Sequence, residues 1–151
     1  MKLEKWASIA EIVSGAAVAI TLVFLVVGIR DNANTTRSAV YEALMTDLND
    51  FNLTIINDPD LYPLWSNRFD VEVANLEDDE VYRLRLMNRV LYRVLDAAYW
   101  SFRSGTLAPA QWERFQNSVC TGVSRVDPTL WKETAEVMSD DFVSYAEETC
   151  L

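Results

Sequence analysis

The chain has 151 residues, 13 of them basic and 23 acidic, with no histidine and a net charge of −10. That length allows one ordinary domain, and so acidic a surface repels phosphate backbones, which excludes nucleic acid as a partner. Lack of histidine removes Ser–His and Cys–His nucleophile pairs together with the commonest metal ligand.

Residues 1–6 form an N-terminal flank with Lys2, Glu4, Lys5 and Trp6. Then comes "EIVSGAAVAITLVFLVVGIRDN", in which the eighteen residues from Ile12 to Ile29 carry no charge. As helix they span about 27 Å, close to the roughly 30 Å of a hydrocarbon core. A buried helix of a small domain would keep a polar face, and this stretch has none. A signal peptide would have a shorter apolar part and a small-x-small cleavage site, which "VVGIRDNAN" does not offer. Trp6, with Lys2, Lys5 and Arg30 on the flanks, matches an interfacial belt. The reading is a retained single-pass transmembrane helix over residues 7–29, with membrane lipid as its first partner. Flanking charge does not orient it, because Lys2, Lys5 and the terminal amine stand against Arg30 and Arg37.

Inside that span, Gly15 and Ala19 form a small-xxx-small pair that lets two helices approach closely, although membrane helices tolerate small residues generally. Glu11 lies near the mouth of the span. An intramembrane carboxyl is a candidate polar site, yet at this depth its side chain can also reach the interface.

Residues 30–151 form the acidic domain, with 11 basic and 21 acidic residues. No strand alternation sustains itself, so the fold class is all-α: the transmembrane helix followed by a compact bundle of four or five helices. Nothing in "IRDNANTTRSAV" breaks a helix, so the membrane helix can continue outward. Val40, Leu44, Leu48, Phe51 and Ile55 then recur at spacings of 4, 4, 3 and 4, an amphipathic helix to about Ile56. Asp58 caps a short turn opened by Pro59, with Leu61, Leu64 and Trp65 on one side. "RFDVEVA" is read as linker. The strongest helix follows, with Asn75 as candidate N-cap and Glu77, Asp78, Asp79 and Glu80 complementing its positive end. Its narrow apolar seam is Val81, Leu84, Asn88, Leu91, Leu95, Ala98 and Phe102, and Gly105 closes it. Asn88, the polar member, can fix the register of a helix association or simply bond to nearby backbone. Pro109 starts a helix bearing Trp112, Phe115, Val119 and Val123. Asp127 and Pro128 open another through Trp131 and Met138, and a last short helix carries Phe142 and Tyr145.

Chemistry is sparse. The run Glu77–Glu80 lacks the spacing and glycine of a calcium loop and reads as helix-start charge. Asp140 with Asp141, and Glu147 with Glu148, diverge around a helix and make poor catalytic pairs. Trp65, Tyr99, Trp100, Trp112, Trp131 and Phe142 are placed at helical spacing and read as core rather than as a ligand pocket. Cys120 and Cys150 form a disulfide if the domain faces an oxidising compartment, and remain small buried hydrophobes if it does not. No catalytic residue, metal ligand set or cofactor is expected.

At "WASIAEIVSGAAVAITLVFLVVGIRDNANTTRS" the chain resembles a large group of uncharacterised bacterial single-pass membrane proteins. The resemblance rests on the "IR-x-N" exit, here Ile29, Arg30 and Asn32, and on a "G-x-L-x-x-x-x-W" turn at Gly105, Leu107 and Trp112. Trp131 and Phe142 also match. It implies a bacterial inner-membrane location and a helical domain on the cytoplasmic side, and it supplies no catalytic residue. Lys2, Lys5 and the two cysteines depart from the group's pattern.

The expected function is therefore a non-enzymatic membrane-anchored interaction or scaffold protein, a homo-oligomer joined through Gly15, Ala19 and the Asn88 seam. The alternative is an accessory subunit beside a membrane protein partner. A third reading is an oligomeric pore with Glu11 ringing its mouth.

Overall fold

A computed structural model describes the backbone from Lys2 to Leu151 and the side chains from Val13 onward. The described residues are 83% helical, without strands, in six α-helices and one 3₁₀ turn. They divide into two units, the first ending at Ser38 and the second running from Ala39 to Leu151.

Helix α1 (Lys2–Asn57) is unbroken. No proline and no glycine interrupts it after Gly28. Threonines, which compete with helical backbone when free, are here satisfied inside it. The hydroxyls of Thr21, Thr35, Thr36, Thr46 and Thr54 each donate to the carbonyl four residues back. The first unit holds the apolar stretch, a single helix long and apolar enough to cross a membrane, and none of its most apolar window is buried. A core helix of a soluble domain would be covered there.

The second unit is the bundle. It takes the last part of α1 with α2 (Leu61–Ser66), α3 (Asp78–Arg103), α4 (Pro109–Arg125), α5 (Pro128–Ala135) and α6 (Asp140–Cys150). The expected stripe on α1 is the one that packs: Leu44, Phe51 and Ile55 are buried, with Val40 and Leu48 against them. Asp58 caps as expected through its side chain, which accepts from the backbone N–H groups of Asp60 and Leu61. Those two bonds hold its carboxyl below the usual carboxylate range. Residues 67–70 turn and Val73–Asn75 form the 3₁₀ helix, so the segment read as linker is one.

Three expectations about helix ends and faces need correction. The N-cap of α3 is Glu77, not Asn75: the Glu80 carboxylate reaches back to the Glu77 N–H, half of a capping box, while Asn75 bonds to Glu72. Helix α5 stops at Ala135, before Met138, because a new cap at Ser139 starts α6. The Ser139 hydroxyl and N–H both donate to Asp96 of α3, which pins that corner. Finally, the apolar face of α3 is broad rather than narrow. Leu84, Asn88, Leu95 and Ala98 of the expected seam are buried, but so are Met87, Tyr92 and Tyr99. The reason is position: α3 packs against α2, α4, α5 and α6, so most of its circumference is interior.

Gly105 ends α3 with a φ of +76°, a left-handed conformation that suits glycine. Seven side chains are almost wholly enclosed, namely Leu84, Tyr92, Leu95, Leu107, Val119, Leu130 and Phe142. The aliphatic ones and Phe142 each contribute about 1.5–3 kcal/mol by leaving water. An aromatic cluster adds directionality: Tyr99 packs on Trp112, Phe142 and Tyr145, and Phe102 stacks on Trp112 at 5.5 Å. Trp100, expected in the core, is instead 67% exposed, since it lies on the one side of α3 that no helix covers.

Candidate functional site

The bundle has a pocket of mixed lining where the last turns of α1, the turn after α2, and the facing sides of α3 and α4 meet. Its volume is about 370 Å³. Leu48 and Phe51 of α1, Trp65 and Leu91 make the apolar wall, and Asn52, Asn117, Ser118 and Thr121 make the rim. The inner end carries Arg68, Asn88 and Tyr92.

Arg68 follows the short helix α2 and folds back on it. Its Nη1 donates to the Trp65 carbonyl at 2.7 Å, and the guanidinium lies 3.9 Å from the Trp65 ring centre and 4.1 Å from that of Phe69. Arg125 from the end of α4 shares the Phe69 ring at 4.7 Å. Such cation–π contacts suit arginine, whose flat, weakly hydrated cation stacks on rings. Burial lowers the pKa of Arg68; Tyr92 works against that shift and Arg125 adds to it. Among the described residues, no carboxylate lies within 4.0 Å of either arginine, whereas Arg83 pairs with Asp79 and Arg85 with Glu133.

Tyr92 is 1% exposed, and its hydroxyl has no hydrogen-bond partner. Burial pushes its phenol far above the ordinary value, with Arg68 pulling the other way. The space for that hydroxyl is made by Gly122 in the middle of α4. A Cβ at Gly122 would sit 2.0 Å from the Tyr92 oxygen and 3.0 Å from the ring carbon that bears it. A glycine inside a helix costs about 1 kcal/mol relative to alanine; here it admits a tyrosine.

The residues picked out from sequence fall as follows. Asn88 is 3% exposed and its Nδ2 donates to the Leu84 carbonyl at 3.0 Å. It is enclosed by its own bundle and makes the local backbone bond, the plainer of the two readings. Gly15 has nothing within 4 Å of where a Cβ would stand, and Ala19 is exposed, so that face of α1 is open. The side chain of Glu11 lies outside the described residues. Cys120 and Cys150 are joined in a disulfide that ties α4 to α6, with Cα atoms 4.8 Å apart.

No known protein family, curated protein or solved structure matches the chain. The site must therefore be read from its own geometry.

Among the described residues no group of three or more Cys, Asp or Glu side chains is placed to hold a metal ion. Among the described residues no side chain hydrogen-bonds to the Tyr92 hydroxyl. A second feature lies on the outer side of α3. Leu86, Met87, Val90 and Val94 face Phe51, Ile55 and Leu61 across a mainly apolar groove of about 440 Å³, with Asp47 and Asp50 on its edge. Leu86 and Val90 remain 42% and 48% exposed.

Sequence reasoning passed over Arg68, Tyr92 and Gly122. Two signals were present in retrospect: "WSNRF" sets an arginine between two aromatics, and "CTGVS" sets a glycine inside a strong helix.

Proposed function

We propose that the protein is a non-enzymatic, membrane-anchored interaction protein that self-associates, with its apolar helix in a bacterial inner membrane. The observation that carries this reading is the wholly exposed apolar window of α1, with the small-residue face at Gly15 and Ala19 left open. Lipid can cover such a helix, and a second copy can approach it closely at the small residues. The resemblance to bacterial single-pass proteins, carried by Ile29, Arg30 and Asn32, supports the location. The apolar groove beside α3 offers the bundle a contact surface in addition to α1; Asn88 does not.

The bundle is proposed to face an oxidising compartment, outside the cytoplasm. The Cys120–Cys150 disulfide supports that side over the cytoplasmic one, because cytosolic thiols are kept reduced. Flanking charges are nearly balanced and offer no opposition.

Native mass spectrometry of the gently solubilised protein tests the association. A single integer multiple of 17.2 kDa above one is expected, with Gly15→Leu shifting the mass to the monomer. A wild-type monomer in mild detergent would overturn self-association. A different protein at fixed stoichiometry would establish the alternative, an accessory subunit whose role is set by its partner.

A further inference from the structure

We infer that the uncovered side of α3 is a docking surface for α3 of a second copy, the two related by a two-fold axis along the helix. This surface rests on the proposed self-association and is the part of the bundle that takes part in it. Tyr82, Leu86, Val90, Arg93, Ala97 and Trp100 follow one another at spacings of 4, 4, 3, 4 and 3, so they share one face of the helix. All six are exposed, and the four large apolar ones, Tyr82, Leu86, Val90 and Trp100, lie between 42% and 67% exposed. The other side of α3 already buries Leu84, Leu95, Ala98 and Tyr99 in the bundle. A helix of a lone bundle needs only one apolar side. Single exposed hydrophobics are ordinary, whereas a line of them about 27 Å long marks an interaction site. Between Leu86 and Val94 the stripe borders the groove of about 440 Å³ against α1.

Charge selects the occupant. On one flank of the stripe, Asp47 and Asp50 of α1 edge the groove beside Val90 and Val94. The other flank is the α5 side, marked by the ion pair of Arg85 with Glu133. Arg89, one turn on from Arg85, and Arg93 lean to that flank at the level of the two aspartates. Among the described residues neither of these two arginines has a carboxylate within 4.0 Å. A basic partner helix would therefore meet the arginines, and an acidic one would meet the aspartates. A second copy turned about an axis along α3 lays each flank on the opposite one. Asp47 and Asp50 of each copy then face Arg93 of the other, and the match is made twice. An antiparallel pair would instead set the aspartates of both copies together, because they lie near the middle of the stripe. The parallel pair is the one that fits, and it places equivalent positions across the axis, Ala97 opposite Ala97.

Cysteine cross-linking of the full chain in membranes tests this, with a short bis-maleimide that does not react with the bonded Cys120 and Cys150. Ala97→Cys should cross-link to its counterpart and give a covalent dimer, and Glu113→Cys, exposed on α4, should not. In the Ala97→Cys background, Asp50→Lys sets like charges together at two symmetric places and should lower the dimer yield several-fold. Arg93→Asp should do the same, and the two changes together should restore most of the yield. All of these positions are exposed, so folding is not at stake. Native mass spectrometry of the wild type separates this surface from the reading it rests on. An oligomer whose Ala97→Cys variant fails to cross-link overturns the α3 surface and leaves association through α1 standing. A wild-type monomer, with no cross-link from Ala97→Cys, overturns both. Co-expressed Tyr82→Cys and Trp100→Cys chains that cross-link to each other more strongly than Ala97→Cys does to itself would establish the antiparallel pair and overturn the axis along α3. A double charge variant no better than either single one overturns the flank pairing that selects a second copy.

Discussion

Gly122→Ala isolates the packing that shapes the pocket. In an exposed helix this change would stabilise by about 1 kcal/mol, because alanine is the better helix former. Here the new methyl would lie 2.0 Å from the Tyr92 oxygen and 3.0 Å from its ring carbon. Tyr92 is itself only 1% exposed. Overpacking of this kind costs typically about 1–3 kcal/mol, and a contact this close in an enclosed site belongs at the upper end. The net expectation is a loss of about 2 kcal/mol. The same change in a Tyr92→Phe background meets no oxygen, and its closest contact becomes the ring carbon at 3.0 Å. The loss there should shrink to within about 1 kcal/mol of zero, giving a coupling of about 1–2 kcal/mol between the two positions. Tyr92→Phe alone should be neutral or slightly stabilising, since the hydroxyl it removes has no partner. Guanidinium unfolding followed by tryptophan fluorescence, on the wild type, both single variants and the double variant, measures all the terms. A stabilised Gly122→Ala protein, or an equal cost in both backgrounds, would refute the argument that this glycine exists to admit Tyr92.

Further outcomes follow from other elements. Reduction of Cys120–Cys150, which are 30 residues apart in sequence, should cost about 3.5 kcal/mol by loop entropy, seen as a lower unfolding midpoint with dithiothreitol and as a mobility change on non-reducing gels of freshly alkylated cells. Fully reduced cysteines in native cells would count against the proposed side of the membrane. Asn88→Leu should leave the native oligomeric mass unchanged, because its amide faces the interior of its own chain; a shift to monomer would contradict that placement. The backbone N–H groups of Leu61 and Asp60 hold the Asp58 carboxyl below the usual carboxylate range. Its contribution to stability is thus present above the unfolded carboxylate range and lost as pH falls through the lower folded value. An NMR titration should find it below an ordinary aspartate, and Asp58→Asn should flatten the acid limb of the stability curve. A normal titration midpoint would refute the capping role.

The amino-acid sequence by itself determined what depends on neighbours along the chain. An uncharged run of eighteen residues, the stripe from Val40 to Ile55, the prolines opening α4 and α5, and the Gly105 stop are local signals, and helix formation is a local event. Even within this range the cap of α3 is Glu77 rather than Asn75, because the Glu80 carboxylate reaches back to the Glu77 N–H. Tertiary structure decided everything that depends on which face meets which. Periodicity shows that α3 has an apolar side but not that four helices cover it, so Tyr92 went inside while Trp100 was left in solvent. It marks Asn88 as the odd residue of a seam without saying that the seam closes on its own bundle. Nor can spacing pair two cysteines, since the disulfide depends on α4 and α6 bringing their Cα atoms to 4.8 Å. The pocket is the furthest case. Arg68 comes from a turn, Tyr92 from α3 and Gly122 from α4, and only packing brings a cation, an unpaired hydroxyl and the space between them to one place.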